Sequence, residues 1–170
     1  MTVMATELVG TKKLVVGWFS FTCCEDSTIL LTELLNDHLD QWKKVVEFRY
    51  FKALKTKNEI RELDVAFIEG AISSPKQAKE VLTIRENAKY VVAVGACAVT
   101  GLPSASRNNL VDEKTNYKLY WYFSHFDYSD KVQKLSEVIK IDDQINGCPM
   151  NAEVFMSTLN RYLKEFGIVH

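Results

Sequence analysis

No stretch of the sequence approaches the ~20 consecutive apolar residues that a bilayer-spanning helix needs, so no membrane span is read in it. The opening residues, MTVMATELVGTKK, hold neither an apolar signal core nor a twin-arginine pair, and a cytoplasmic location is therefore expected. Charge of one sign is lacking too. Lys and Arg total 21 against 22 Asp and Glu, a formal net charge of −1, which offers no electrostatic ground for nucleic acid or an anionic membrane as partner. There is no internal repeat, low-complexity tract or linker, so residues 1–170 are expected to form one domain. A chain of this length buries roughly 70% of the surface its unfolded form exposes. The apolar and charged fractions, 47% and 25%, are those of an ordinary globular protein.

Cysteine is scarce as well. There are four, and none stand as the paired C-x₂₋₄-C knuckles usual for structural zinc. In a reducing compartment, four cysteines more often mean core packing, a catalytic thiol or a metal site than two disulfides.

What is present is an alternation of strand and helix patterns. KKLVVGWFS (12–20) is a short, apolar, β-branched run and predicts a buried strand. DSTILLTELLNDHLDQW (26–42) carries apolar residues at helical spacing, with Asp26 or Ser27 as its expected N-cap. KVVEFRYF (44–51) and LDVAFIEG (63–70) predict a second and third strand. SSPKQAKEVLTIRENA (73–88) opens with Ser and an early Pro, as a helix start does. KYVVAVGACA (89–98) predicts a fourth strand running into Cys97. From Gly101 to Asp130 no period is evident, and the segment is rich in aromatics from Tyr117 to Tyr128. DKVQKLSEV (130–138) predicts a helix, VIKID (138–142) a fifth strand, and NAEVFMSTLNRYLKEFG (151–167) a last helix. Strands alternating with helices imply an α/β fold with a parallel sheet covered on both faces. Right-handed crossovers then favour a flavodoxin-like doubly wound sheet.

In such sheets ligands bind beyond the carboxyl ends of the strands. Cys23 and Cys24 follow the first predicted strand, Cys97 the fourth, and Cys148 the fifth, so all four are expected on one edge, outside strands and helices. The bland alternative is four unrelated small residues at strand ends. A bridge between Cys23 and Cys24 would be geometrically strained. A structural zinc lacks its usual knuckles. An iron–sulfur cube takes four thiolates, and the adjacent pair could supply two of its corners. Gly95 and Gly147 stand one or two positions before a cysteine, where backbone can come close to a bulky inorganic ligand. Pro149 is expected to fix the entry into the last helix, its N-terminal dipole toward a net-negative cluster.

Four segments, FTCCEDS, EGAISSP, VGACAVTGLPSASRN and NGCPMNAEVF, resemble the small, electron-transferring subunit of nickel-iron hydrogenases and the related 20-kDa subunit of respiratory complex I. The resemblance spans nearly the whole chain. It implies one 4Fe–4S cluster, proximal to the active site, on Cys24, Cys97 and Cys148 plus one ligand from the first loop. Hydrogenase small subunits usually read C-x-x-C in that loop, and the first cysteine of the pattern falls here on Phe21. Adjacent cysteines are the habit of the complex I relatives, so Cys23 and Cys24 are expected to serve together. A non-cysteine ligand or a three-iron species is the alternative.

EGAISS and GACA…PSASRN look more like cytoplasmic hydrogenases. The resemblance then implies a nickel-iron centre in a separate large subunit and no bond chemistry in this chain. A further iron–sulfur or flavin subunit, of the NAD(P)-linked kind, would take the electrons. A complex I-like or membrane-hydrogenase subunit on the quinone side is the second reading, and a non-redox flavodoxin-like binding module the third. FMN is not expected here, because the cysteines occupy the place of a phosphate loop after the first strand. Glu25, Asp26 and Glu69 are candidates for proton relay or partner contact, against simple capping or solvation. Arg107 is expected to meet the partner or the cluster's negative charge, against a surface salt bridge. The aromatic segment is expected either to dock another subunit or to cover the sheet.

Overall fold

The computed structural model describes residues 12–110 and 116–170. Five strands form one all-parallel sheet in the order β2-β1-β3-β4-β5, the flavodoxin-like order. They are β1 (Leu14–Ser20), β2 (Val46–Phe51), β3 (Leu63–Glu69), β4 (Ala88–Val94) and β5 (Asp143–Ile145). The helices are α1 (Asp26–Val45), α2 (Pro75–Asn87), α3 (Gly95–Thr100), α4 (Asn116–His125) and α5 (Ala152–Glu165). Among the described residues, no helix is long and apolar enough to cross a membrane.

Successive strand residues face opposite sides of a sheet, and here both sides are apolar. Val65 and Phe67 of β3, with Val92 and Val94 of β4, pack toward α1 and α5, where Leu31, Trp42, Phe155, Leu159 and Tyr162 meet them. Ala66 and Ile68, with Val91 and Ala93, pack the other way against Val81 and Ile84 of α2 and Leu135 and Ile139 beyond it. Every residue of β3 is buried, as a central parallel strand should be. Helix α2 starts as its sequence implies: the backbone N–H of Gln77 donates to the Ser74 hydroxyl at 3.2 Å, with Pro75 in the first turn.

Three expectations are corrected. The predicted fourth strand stops at Val94, because Gly95 adopts φ +78° and turns the chain into α3, so Cys97 lies inside a short helix. Residues 130–138 form only a single 3₁₀ turn, Leu135–Glu137. The last strand is Asp143–Ile145 rather than 138–142. The more apolar VIKID run instead sends Ile139 under the α2 layer, while the Asp142 carboxylate accepts from the backbone N–H of Val91 at 2.8 Å and from Arg85.

Burial alone would raise the Asp142 carboxyl, but the Arg85 and Val91 donors outweigh it and hold the group below its ordinary value of 3.8. A depressed folded-state pKa adds stability above the unfolded value that is lost as pH falls through the folded one. Asp142→Asn is therefore expected to flatten the loss of stability below about pH 4, measured as the urea midpoint across an acid pH series. An unchanged acid slope would show that the Arg85–Asp142 contact carries none of it.

Candidate metal centre

All four cysteines come together at the carboxyl edge of the sheet. Cys23, Cys24, Cys97 and Cys148 line one shallow hollow, partly open to solvent, with Asp26, Ser27, Glu69, Gly95, Gly147 and Pro149. All four are free thiols. They arrive on three connections: the loop from β1 to α1, the first turn of α3 after β4, and the loop from β5 to α5.

The adjacent pair diverges. Cys23 is half-buried and joins Cys97, Ala71, Val132 and Ala105 in a small apolar cluster. Cys24 is exposed, and its sulfur lies with a carboxylate oxygen of Asp26 and the sulfur of Cys148 so that all three are within 4.8 Å of one another. The hollow thus has an inner thiol pair and an outer one. Burial pushes the Cys23 thiol up to about 11, with the Glu69 charge adding to the shift. At Cys24 the Asp26 backbone N–H lowers the value, but the Asp26 carboxylate and burial raise it by more. Both therefore favour the protonated thiol until a cation compensates.

Glycines shape the rim at two points. Gly147 has φ +126°, and a Cβ there would stand 2.4 Å from the Pro149 carbonyl oxygen. Gly95 lies where a Cβ would meet the Ser27 hydroxyl at 3.0 Å. The backbone N–H of Ala96 donates to the Gly147 carbonyl at 2.7 Å, joining the Cys97 and Cys148 loops. The Met150 N–H donates to the Ser27 hydroxyl at 3.2 Å, joining the Cys148 loop to α1.

Glu69 sits at the centre of this junction, 3% exposed. Its carboxylate accepts from the backbone N–H groups of Ser27 (2.9 Å) and Thr28 (3.1 Å) and from the Thr28 hydroxyl (2.7 Å). Helix α1 is thereby capped from another strand. Its own N-cap residue is Glu25, in the left-handed region at φ 63° and without a side-chain cap bond. The expected cap by Asp26 or Ser27 is not the one found. Glu25 instead accepts from the Ser20 hydroxyl at 3.0 Å.

Arg107 belongs to a 3₁₀ segment, Ser104–Leu110. Its guanidinium donates to the Ser129 carbonyl (2.8 Å) and the Ser73 carbonyl (3.4 Å) and stacks over Phe123 and Tyr128. Among the described residues it makes no ion pair, so the alternative of a surface salt bridge is not seen, and burial lowers its pKa. Asn108 clamps Val132, donating to its carbonyl and accepting its N–H, both at 2.8 Å. Sequence reasoning passed over Ser20, Thr28 and Ser104, and took Ser27 only as an N-cap. Ser27 and Thr28 follow the cysteine pair closely, but their partners Glu69 and Met150 lie 41 to 123 positions away.

The donor set is that of a thiolate-bound metal or iron–sulfur centre, and the glycine rim gives it close backbone approach. Pro149 does not open the last helix directly. Helix α5 begins at Ala152, and Asn151 caps it by accepting the Val154 N–H at 2.9 Å.

Removing the buried Glu69 acceptor leaves three donors unpaired. Glu69→Ala is expected to cost about 3 kcal/mol and Glu69→Gln roughly half of that, in urea unfolding, with faster amide exchange at Ser27 and Thr28. Equal stability of all three proteins would show that the α1 junction does not depend on this carboxylate.

Known proteins resemble this chain in sequence and fold to differing extents. An F420-non-reducing hydrogenase component from Methanothermobacter marburgensis is 30% identical over 122 residues, covering 63% of this chain and 39% of that protein. The delta subunit of the NAD-reducing hydrogenase HoxS of Cupriavidus necator is 30% identical over 112 residues, covering 56% and 53%. The chain thus spans 39% and 53% of the length of these two relatives. In fold it is similar to a chain of an NAD⁺-reducing NiFe-hydrogenase in the H₂-reduced state, with a TM-score of 0.74 at 22% identity over 91% of this chain and 93% of that one. The pattern of one family fits residues 23–162, from the tandem cysteines through most of α5, and the chain belongs to it: the 20 kDa subunit family of NADH ubiquinone oxidoreductase.

Proposed function

We propose that this chain is the small, electron-transferring subunit of a cytoplasmic nickel-iron hydrogenase, holding one 4Fe–4S cluster on Cys23, Cys24, Cys97 and Cys148. The observation that carries this reading is the meeting of four free thiols from three connections in one hollow. Hydrogenase subunits among its relatives support the same reading. When bound, the cluster supplies one-electron transfer between the nickel-iron centre of a separate large subunit and a further iron–sulfur or flavin carrier, on the NAD(P)-linked side.

The chain's own residues provide position and burial. The divergence of Cys23 and Cys24 supports service by both, since one thiol turns inward beside Cys97 and the other outward beside Cys148. Phe21, where a C-x-x-C pattern would place a cysteine, packs against the core instead. Around the hollow, the Gly95 and Gly147 turns and the Ser27 hydroxyl hold the three connections in register. Glu69 is a structural cap, and Arg107 anchors the 3₁₀ segment to α4. These bonds leave Asp26 as the acid at the rim, while Glu25 is turned to Ser20.

Helix α4 provides the docking face for the large subunit. Tyr117, Tyr120 and Trp121 are 90%, 65% and 54% exposed, and interface cores are enriched in such side chains. Arg107, stacked under Phe123, ties that helix to the segment following Cys97. The aromatics thus lie mainly outward rather than over the chain's own sheet.

A complex I-like subunit is the second reading, favoured by the tandem cysteines and by the family itself. The large subunit that co-purifies distinguishes the two.

Iron, acid-labile sulfide and the EPR spectrum after dithionite are the deciding measurements on anaerobically purified protein with its partner. About four of each per chain and a reduced-cluster signal are expected. Three irons with a signal in the oxidised state would mean that the tandem pair gives one ligand. A colourless, iron-free protein would sink the redox reading in favour of a binding module. Cys148 is exposed, so Cys148→Ala is expected to lose the cluster while changing the apoprotein's stability by no more than about 0.5 kcal/mol. Trp121→Ala is expected to weaken retention of the large subunit about tenfold or more. Undiminished pull-down by that variant would move the docking face elsewhere.

A further inference from the structure

Each inner cysteine has a serine hydroxyl beside its sulfur. The Ser104 oxygen is 3.3 Å from Cys97 Sγ, and the Ser20 oxygen is 3.6 Å from Cys23 Sγ. Each hydroxyl also has a second acceptor: the Thr22 carbonyl at 3.0 Å for Ser104, and the Glu25 carboxylate at 3.0 Å for Ser20. A hydroxyl carries one proton and can serve one acceptor well.

While Cys97 is a thiol, the Ser104 proton can rest on the Thr22 carbonyl and the S–H can donate to the serine oxygen. A metal-bound thiolate has lost that S–H and can only accept. A hydrogen bond to an ionised acceptor is about twice as strong as one between neutral groups, so Ser104 then gains by turning to the sulfur. Donors to ligand sulfurs are among the levers that set the potential of an iron–sulfur cluster.

We propose that Ser104 is a positioning residue that raises the cluster's reduction potential by donating to Cys97 Sγ, at the expense of its bond to Thr22. The inference rests on the cluster assigned above. One-electron reduction adds negative charge that the sulfur shares, so the serine bond strengthens in the reduced state and favours it. No bond to iron forms or breaks, and no proton enters from solvent; the hydroxyl proton only changes acceptor. Of the two serines Ser104 is the stronger case. It has the shorter contact, to the buried Cys97, whereas Ser20 shares its proton with a charged carboxylate. Ser104 also comes from the segment that follows Cys97 and bonds the loop bearing Cys23, so it spans both inner ligands.

The test is a potentiometric EPR titration of the full chain in its complex, with iron and sulfide counted on each sample. Ser104→Ala is expected to shift the midpoint potential downward at unchanged iron content, and Ser104→Thr, which keeps the hydroxyl, to restore it. Ser104→Val is isosteric with Thr and lacks the donor, so the Thr–Val difference decides the matter if the Ala variant fails to retain its cluster. Equal potentials for Thr and Val at full iron content would overturn the role of Ser104 and leave the cluster in place. Wild-type protein without iron would overturn the cluster reading itself, a separate result.

Discussion

The buried carboxylate of Glu69 is the contact on which the rest of the site depends. It stands at the end of β3 and accepts three hydrogen bonds from the first turn of α1. The Thr28 hydroxyl it binds accepts in turn from Trp18 Nε1 of β1 at 2.8 Å. One charge therefore fixes the angle at which α1 leaves the sheet. The adjacent residue, Ser27, receives the Met150 N–H from the β5–α5 loop and lies under Gly95 at the start of α3. All three cysteine-bearing connections are referred to one helical turn. A buried ionised group is stabilising only when fully bonded, and this one also offsets the unsatisfied amides that open any helix.

The α/β class and most of the elements were legible because β-branched runs and helical spacing are local signals. Sheet order followed from handedness rules once the elements were in place. The errors also have local causes. VIKID has the composition of a strand, yet its apolar residues are used beneath α2, and the edge strand needs only three residues with Ile145 as its buried member. The fourth strand overran because apolar character continues through Ala96, Cys97 and Ala98, and only the conformation of Gly95 marks the turn. Helix α4 gave no period because no buried stripe runs along its described residues: aromatics stand at consecutive positions, and Tyr120, Trp121 and Tyr122 are all at least half exposed.

The site was legible in its donors and obscure in its supports. Cysteines at the strand ends could be projected onto one edge from topology alone. The partners of Glu69 and Arg107 could not, since each bond crosses many positions and most are made with backbone atoms that carry no sequence signature. Arg107 illustrates the point. Its charge suggested an external anion, whereas the fold uses its planar head to stack on two aromatic rings and bind two carbonyls.

The division of the four thiols into inner and outer pairs follows from the same construction. Glu25, in a left-handed conformation unusual for a residue with a Cβ, reverses the chain directly after the tandem cysteines. That reversal leaves Cys23 facing the apolar cluster of Ala71 and Val132, and Cys24 facing Cys148 across the open rim. A centre bound by both pairs would be enclosed by apolar and hydroxyl groups on one side and open on the other. Burial on that side limits the charge Cys23 can carry unaided, which is why it holds its proton so firmly. A hydroxyl beside each of the two inner sulfurs, Ser20 at Cys23 and Ser104 at Cys97, is the polar neighbour that such an environment calls for.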